Sequence, residues 1–157
     1  LKSLFNIVDS IEGIRLVIIG NRPRFYEVKS QVEGSRYKDK VLFHEFMNKE
    51  KLGICISSAD IGLVHVNSKW KSHRVAIANR FMEYSLAALP VICNQGANSE
   101  LGAIYGHALF YDDSPEQLKK AIIECLADYE NIKFNARQIR DEVNWEIESK
   151  KLLEVYR

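Results

Sequence analysis

The sequence predicts an α/β fold built on a parallel sheet flanked by helices. Three observations carry this expectation. Short apolar runs recur at Ile14–Gly20, Val41–Phe46, Ile61–Val66 and Val91–Cys93, and continuous apolar runs are how strands covered on both faces read. Between them lie stretches of about 10–15 residues with apolar positions at helical spacing, the alternation that gives crossover connections. Glycine or proline punctuates the junctions, as at Gly13, Gly20, Pro23, Gly34 and Pro90, where turns need special backbone angles. In such a sheet a ligand belongs in the crevice at the carboxyl ends of the strands.

Length and composition bound the rest. At 157 residues the chain is read as one domain, residues 1–157. Hydrophobic residues are 46% and charged residues 27%, an ordinary globular balance. The net charge of +1 lacks the electrostatic footprint of a nucleic-acid or membrane-surface domain. Cys55, Cys93 and Cys125 are odd in number and match no zinc or CxxC spacing. They are expected to be buried free thiols of a reducing cytoplasm. No signal peptide is expected, and no apolar run in the sequence is long enough to span a membrane.

The elements follow in order. Leu4, Ile7 and Val8 give a helix from Leu1 to about Ser10, with Gly13 as its stop. Ile14–Gly20 is the first strand, and Gly20 lets a backbone approach where the strand turns. Pro23 suits the first turn of the next helix, whose inner stripe is Phe25, Val28 and Val32 and whose end is Gly34. The aromatics there are read as core. Val41–Phe46 is a strand and its exit loop. Asn48 caps a helix that runs through Leu52, Ile54, Cys55 and Ile56. Ile61–Val66 is the next strand.

A polar, basic stretch, Asn67–Arg74, then leads to a helix and the buried strand Val91–Cys93, with a tight turn at Leu89-Pro90 between them. Phe81, Leu86 and Ala88 supply apolar surface to that helix and turn. Lys69, Lys71, His73 and Arg74 are either solvated surface or part of an anion site at a helix N-terminus. Trp70 is a stacking platform or a loop anchor. Gly96 opens the turn after the strand, and Asn98 or Ser99 caps a short helix through Leu101 and Ile104, with Glu100 near its positive end. Gly106–Asp112 is the last strand. Ser114-Pro115-Glu116-Gln117 is a capping box for a helix with buried stripe Leu118, Ala121, Ile122, Cys125 and Leu126. Ile132, Phe134, Ala136 and Ile139 mark another helix, and Trp145, Leu152, Leu153 and Tyr156 the final one.

The stretch that organises the chain is Asn79-Arg80-Phe81-Met82-Glu83-Tyr84, followed by Leu89-Pro90-Val91-Ile92. On spacing alone Glu83 is a solvated helical charge or the partner of Arg80 at i+3. The stretch resembles the N-K-L-F-E-Y-M-A-x-G-x-P-V-I signature of group 1 (family 4) glycosyltransferases. The likeness extends over about nine-tenths of the chain. Gly20 ends a run similar to L-x-I-V-G-x-G; Ser58-Ala59-Asp60, Asn94–Glu100 and the Trp145–Tyr156 tail also match family patterns.

The resemblance implies a Rossmann-like parallel sheet, the C-terminal, nucleotide-sugar-binding half of a GT-B enzyme. In the family a strand and loop precede the first helix. They supply the central strand and an arginine and lysine for the donor diphosphate, so an N-terminally truncated fragment without its acceptor domain is expected. The glutamate at the position of Glu83 binds the donor ribose, and an ionised carboxylate suits a vicinal diol. By resemblance the donor site takes in Glu83, Arg80, Asn79, Ala78, Gly20, His44, Phe46, Arg74 and Gly96. His44 is either a base-edge contact or a surface histidine.

Four departures stand beside this. Arg22 and Glu45 occupy positions where the family has glycine. Val75 stands where many members have the first glutamate of an E-x7-E pair, and Arg80 replaces a lysine.

The implied reaction is transfer of a sugar from a nucleotide-diphosphate donor to a hydroxyl of a glycan or lipid-linked acceptor, with retention. No metal or other cofactor is expected, because cationic side chains and a helix N-terminus neutralise the diphosphate. The setting implied is surface-polysaccharide synthesis in the cytoplasm, with peripheral association of the full enzyme at the inner membrane face. The alternative is a non-catalytic nucleotide-binding module. A phospho-receiver of similar build would need an acidic cluster after the first strand, and Gly20-Asn21-Arg22 has none.

Overall fold

The computed structural model describes residues 2–66, 71–94 and 96–156. It is α/β, with parallel strands flanked by helices, as expected. The chain divides into two compact units, residues 1–51 and 52–157.

In the first unit, helix α1 (Lys2–Asp9), strand β1 (Leu16–Ile19), helix α2 (Pro23–Glu33) and strand β2 (Val41–His44) follow one another. β1 and β2 pair in parallel from Leu16↔Val41 to Ile19↔His44. Pro23 starts α2, where its missing N–H costs nothing. Phe25, Val28 and Val32 are its buried stripe. Phe5, Val28, Val32 and Val41 form the core, with Tyr37 and Phe43 against it. α1 ends at Asp9, and Gly13 supplies a left-handed residue (φ 76°) to the turn that follows rather than the helix stop itself.

The second unit holds most of helix α3 (Lys49–Ser57), then strand β3 (Gly62–Val64), helices α4 (Lys71–Val75) and α5 (Asn79–Leu86), strand β4 (Val91–Asn94), helix α6 (Ala97–Tyr105), strand β5 (Ala108–Tyr111), and helices α7 (Pro115–Ala127), α8 (Tyr129–Glu142) and α9 (Trp145–Val155). The strands lie in the order β3-β4-β5, all parallel. β4 has a strand on each side and all four of its residues are buried, which explains its uninterrupted apolar run.

Two helices pack close to the strands because glycine leaves room. A Cβ on Gly62 would meet the Tyr84 ring at 2.3 Å, and one on Gly102 would meet the Ala108 Cβ at 2.5 Å. Ser114 caps α7 by accepting from the Gln117 N–H at 3.1 Å, and Asn48 accepts from the Lys51 N–H at 3.0 Å.

Several expectations are corrected. Basic residues expected in a loop to Arg74 are in part helical, in the short α4. Gly96, with φ 144°, is the N-cap of α6, so Asn98 and Ser99 lie inside the helix; the Ser99 hydroxyl donates to the Gly96 carbonyl at 2.6 Å and accepts its N–H at 3.1 Å. α3 has no buried residue, and Leu86, Leu126 and Phe134 are exposed. Leu126 therefore lies outside the stripe that α7 buries, which is Leu118, Ala121, Ile122 and Cys125. No helix among the described residues is long and apolar enough to cross a membrane.

Candidate functional site

The second unit's sheet ends at Val64, Asn94 and Tyr111, its carboxyl edge. Helix α5 is seated on an apolar cluster of Val64, Phe81, Val91, Cys93 and Ala108. Phe81 and Ser85 face that core, which turns the other side of the helix outward. Asn79, Arg80 and Glu83 are on that side and exposed. Asn79 and Glu83 are one turn apart, the spacing that puts side chains on one face.

The start of α5 is open. Its N-cap, Ala78, has extended backbone angles and no side chain to offer. The first N–H groups of a helix have no acceptor within it, and they carry the positive end of the helix dipole. Arg80 adds a full positive charge at the second helical position. The Arg80–Glu83 ion pair weighed from spacing is not formed, and the Glu83 carboxylate has no hydrogen bond or ion pair among the described residues. A free carboxylate thus stands one turn up from a free helix N-terminus. Chemically, one end can accept hydrogen bonds from hydroxyl groups and the other can receive an anion.

Beside α5 the carboxyl edge carries a polar cluster that the sequence did not single out. Asn94, buried at the end of β4, accepts from the Val66 N–H at 2.9 Å and donates to the Val66 carbonyl and the Asp113 carboxylate, both at 2.7 Å. His65 Nδ1 lies 2.8 Å from the Tyr111 hydroxyl and 3.7 Å from Asp113. Burial pushes the Tyr111 phenol well above its usual range, and the Asp113 charge adds to the shift. Asp113 adopts a left-handed backbone, φ 72°. The signal for this cluster was faint: an Asn directly after a fully apolar strand, and an Asp-Asp pair after the next.

Of the nine residues nominated from the sequence, Ala78, Asn79, Arg80 and Glu83 lie at the start of α5. Gly96 caps α6, and Asn98 two residues later accepts from the Ala78 N–H at 2.8 Å, so the starts of α5 and α6 are joined. Arg74 lies on α4, but its side chain is outside the described residues, as are that of His73 and all of Lys69 and Trp70. Lys71 and Val75 are exposed.

Gly20, His44 and Phe46 belong to the first unit. The Gly20 N–H donates to the His44 carbonyl at 3.0 Å, which carries the β1–β2 pairing one step further. A Cβ on Gly20 would stand 3.2 Å from the Phe25 ring, so its close approach is to a core aromatic. Asn21, Arg22 and Phe25 border an open depression at this strand end. His44 is exposed, and Phe46 is 72% exposed.

The sequence profile of the family described as glycosyl transferases group 1 matches residues 1–141. The fold is similar to that of sucrose-phosphate synthase from Thermosynechococcus elongatus, with a TM-score of 0.76 at 20% identity. The likeness covers 99% of this chain and 41% of that one, so the chain spans well under half the length of that enzyme. At this identity the likeness speaks for the fold alone. No curated protein sequence matches the chain.

Proposed function

This chain belongs to the group 1 glycosyl transferases, and on that premise we propose that it is the donor-binding domain of a retaining enzyme that transfers a sugar from a nucleotide-diphosphate donor to a hydroxyl acceptor. The observation that carries the reading is the pairing of the exposed, unpartnered Glu83 with the uncapped N-terminus of α5.

Glu83 accepts the two ribose hydroxyls, because an ionised carboxylate takes two O–H donors in charge-assisted bonds. The leaving diphosphate lies against the first turn of α5, where backbone N–H groups, the helix dipole and Arg80 stabilise negative charge as it develops. Arg74 and Gly96 border the same region in this reading. No metal is invoked, since the cationic groups supply the charge.

The acceptor, a glycan or lipid-linked hydroxyl, is assigned to a companion N-terminal domain, and the pathway to surface-polysaccharide synthesis in the cytoplasm, at the inner membrane face. The chain alone then binds donor without turning it over. Calorimetric titration with UDP, GDP, CMP and their sugar conjugates tests this: one nucleotide binds, its sugar conjugate binds with it, and no product forms. Turnover by the isolated chain refutes the division of labour, and failure of every nucleotide to bind refutes the donor site.

One observation favours a second reading, a non-catalytic nucleotide-binding module. Val75, an apolar and exposed residue, stands where many relatives by resemblance carry a sugar-contacting glutamate. Nucleotide affinity that is indifferent to the sugar would favour that module.

A further inference from the structure

We propose that Asn94 and Asn98 are positioning residues for the donor site: two buried carboxamides that hold Val66 and Ala78, on either side of α4. The proposal rests on the donor-site reading above and adds the device that keeps the site in shape.

Asn94 is 1% exposed and Asn98 0%. A carboxamide so buried is costly unless its hydrogen bonds are made. Asn94 makes three. Its oxygen takes the Val66 N–H, and its nitrogen serves both the Val66 carbonyl and Asp113. The side chain thereby does the work of a strand edge. It extends the β3–β4 pairing past its last rung, Val64↔Cys93, to the residue where the chain leaves the sheet.

Asn98 takes the other end. Its oxygen accepts from the N–H of Ala78, the residue that opens α5. Val66 and Ala78, on either side of α4, are therefore each held by a side chain, and the two side chains lie only four residues apart, at the end of β4 and in the first turn of α6.

Stability alone does not account for Asn98. Its Nδ2 is buried with no partner among the described residues, a penalty that an apolar side chain of the same size would not carry. What the carboxamide provides is an acceptor that aims the start of α5, and with it Arg80 and Glu83, at one place. Pre-organisation of this kind is read out as affinity: if the competent arrangement falls to about a tenth of the population, apparent affinity falls about tenfold.

The test compares the chain with Asn94→Ala, Asn98→Ala and Asn98→Leu, which keeps volume while removing the acceptor and the orphaned donor. Asn144→Ala, which removes the cap of α9, an acceptor for the Ile147 N–H at 3.0 Å, is the control for stability loss. Amide exchange and titration with UDP, GDP and CMP are measured on each. The expected result is faster exchange at Val66 in Asn94→Ala and at Ala78 in the Asn98 variants. The Val91 N–H, bonded to the His107 carbonyl, stays protected. Nucleotide affinity falls about tenfold in these variants and stays within about twofold in Asn144→Ala. Unchanged affinity in the Asn94 and Asn98 variants, equal loss in Asn144→Ala, or loss of Val91 protection overturns the positioning role. If the unsubstituted chain binds none of UDP, GDP and CMP, the donor-site reading itself falls, and this role falls with it.

Discussion

His107 Nε2 lies 2.9 Å from the hydroxyl of Ser85, and that hydroxyl lies 2.8 Å from the Phe81 carbonyl. Ser85 has one proton to give. It goes to the carbonyl, so the imidazole is the Nε2–H tautomer and donates to the serine oxygen. The lone pair at Nδ1 is buried without a partner, and the Phe81 ring packs at 5.4 Å. Nothing in this environment favours a second proton.

Acid should therefore unfold the second unit partly through His107. Burial lowers its pKa from the ordinary 6.5 to about 4. A group whose folded pKa is depressed contributes full stability above its unfolded value and loses it as pH falls toward the folded one. The loss runs from about pH 6.5 down through pH 4 and amounts to about 3 kcal/mol. Urea midpoints from pH 7 to pH 4 should drop more steeply in the unsubstituted chain than in His107→Gln. Equal slopes would remove His107 from the account.

Gly62 and Gly53 should respond to alanine with opposite signs. At Gly62 the new Cβ runs into the Tyr84 ring, whereas at Gly53 in α3 it meets nothing within 4 Å. Overpacking costs about 1–3 kcal/mol, while Gly→Ala in an exposed helix gains about 0.5–1 kcal/mol. Thermal melts of the two variants should move apart, Gly62→Ala down and Gly53→Ala up. A neutral Gly62→Ala would mean that α5 and β3 are not packed as described.

The three cysteines should separate by reactivity. Burial raises the Cys93 thiol to about 12 and the Cys125 thiol to about 11, and both are covered, whereas Cys55 is partly exposed. The thiolate is the reactive form. A thiol reagent at pH 8 should titrate one group in the native chain and all three in denaturant, with Cys55→Ser abolishing the native signal. Rapid native labelling of two or more thiols would contradict the buried core around β4.

Much of this was legible from residues whose neighbours in sequence decide their role. Pro23 with Phe25, Val28 and Val32 announced α2, and Ser114 with Pro115 announced α7, because capping and helical spacing are local. The run Val91–Cys93 announced a doubly covered strand. What was not legible depends on partners far along the chain. Leu86 and Phe134 sit at core-like spacing yet stay exposed, since periodicity does not say what lies opposite. α4 lacks an apolar stripe, so its basic residues read as loop. Asn98 or Ser99 suits a cap before a helix, but Gly96 with its positive φ takes that place and leaves Asn98 to reach Ala78. At the site, the helix of Glu83 was readable from its motif, while the Asn94–Val66–Asp113 cluster depends on three strand ends that only folding brings together.

The central claim is that Glu83 binds the ribose of a nucleotide donor, and the most direct measurement is a cycle of two changes. The chain and Glu83→Gln are each titrated with the nucleoside diphosphate that binds and with its 2′-deoxy form. Hydrogen bonds to a charged group are worth about 1.5–3 kcal/mol, so affinity should fall about 10- to 100-fold in Glu83→Gln. Removing the 2′-hydroxyl should weaken binding to the unsubstituted chain and change little further in Glu83→Gln. Full affinity in Glu83→Gln, or the same penalty for the missing hydroxyl in both proteins, would contradict the placement of the ribose on Glu83.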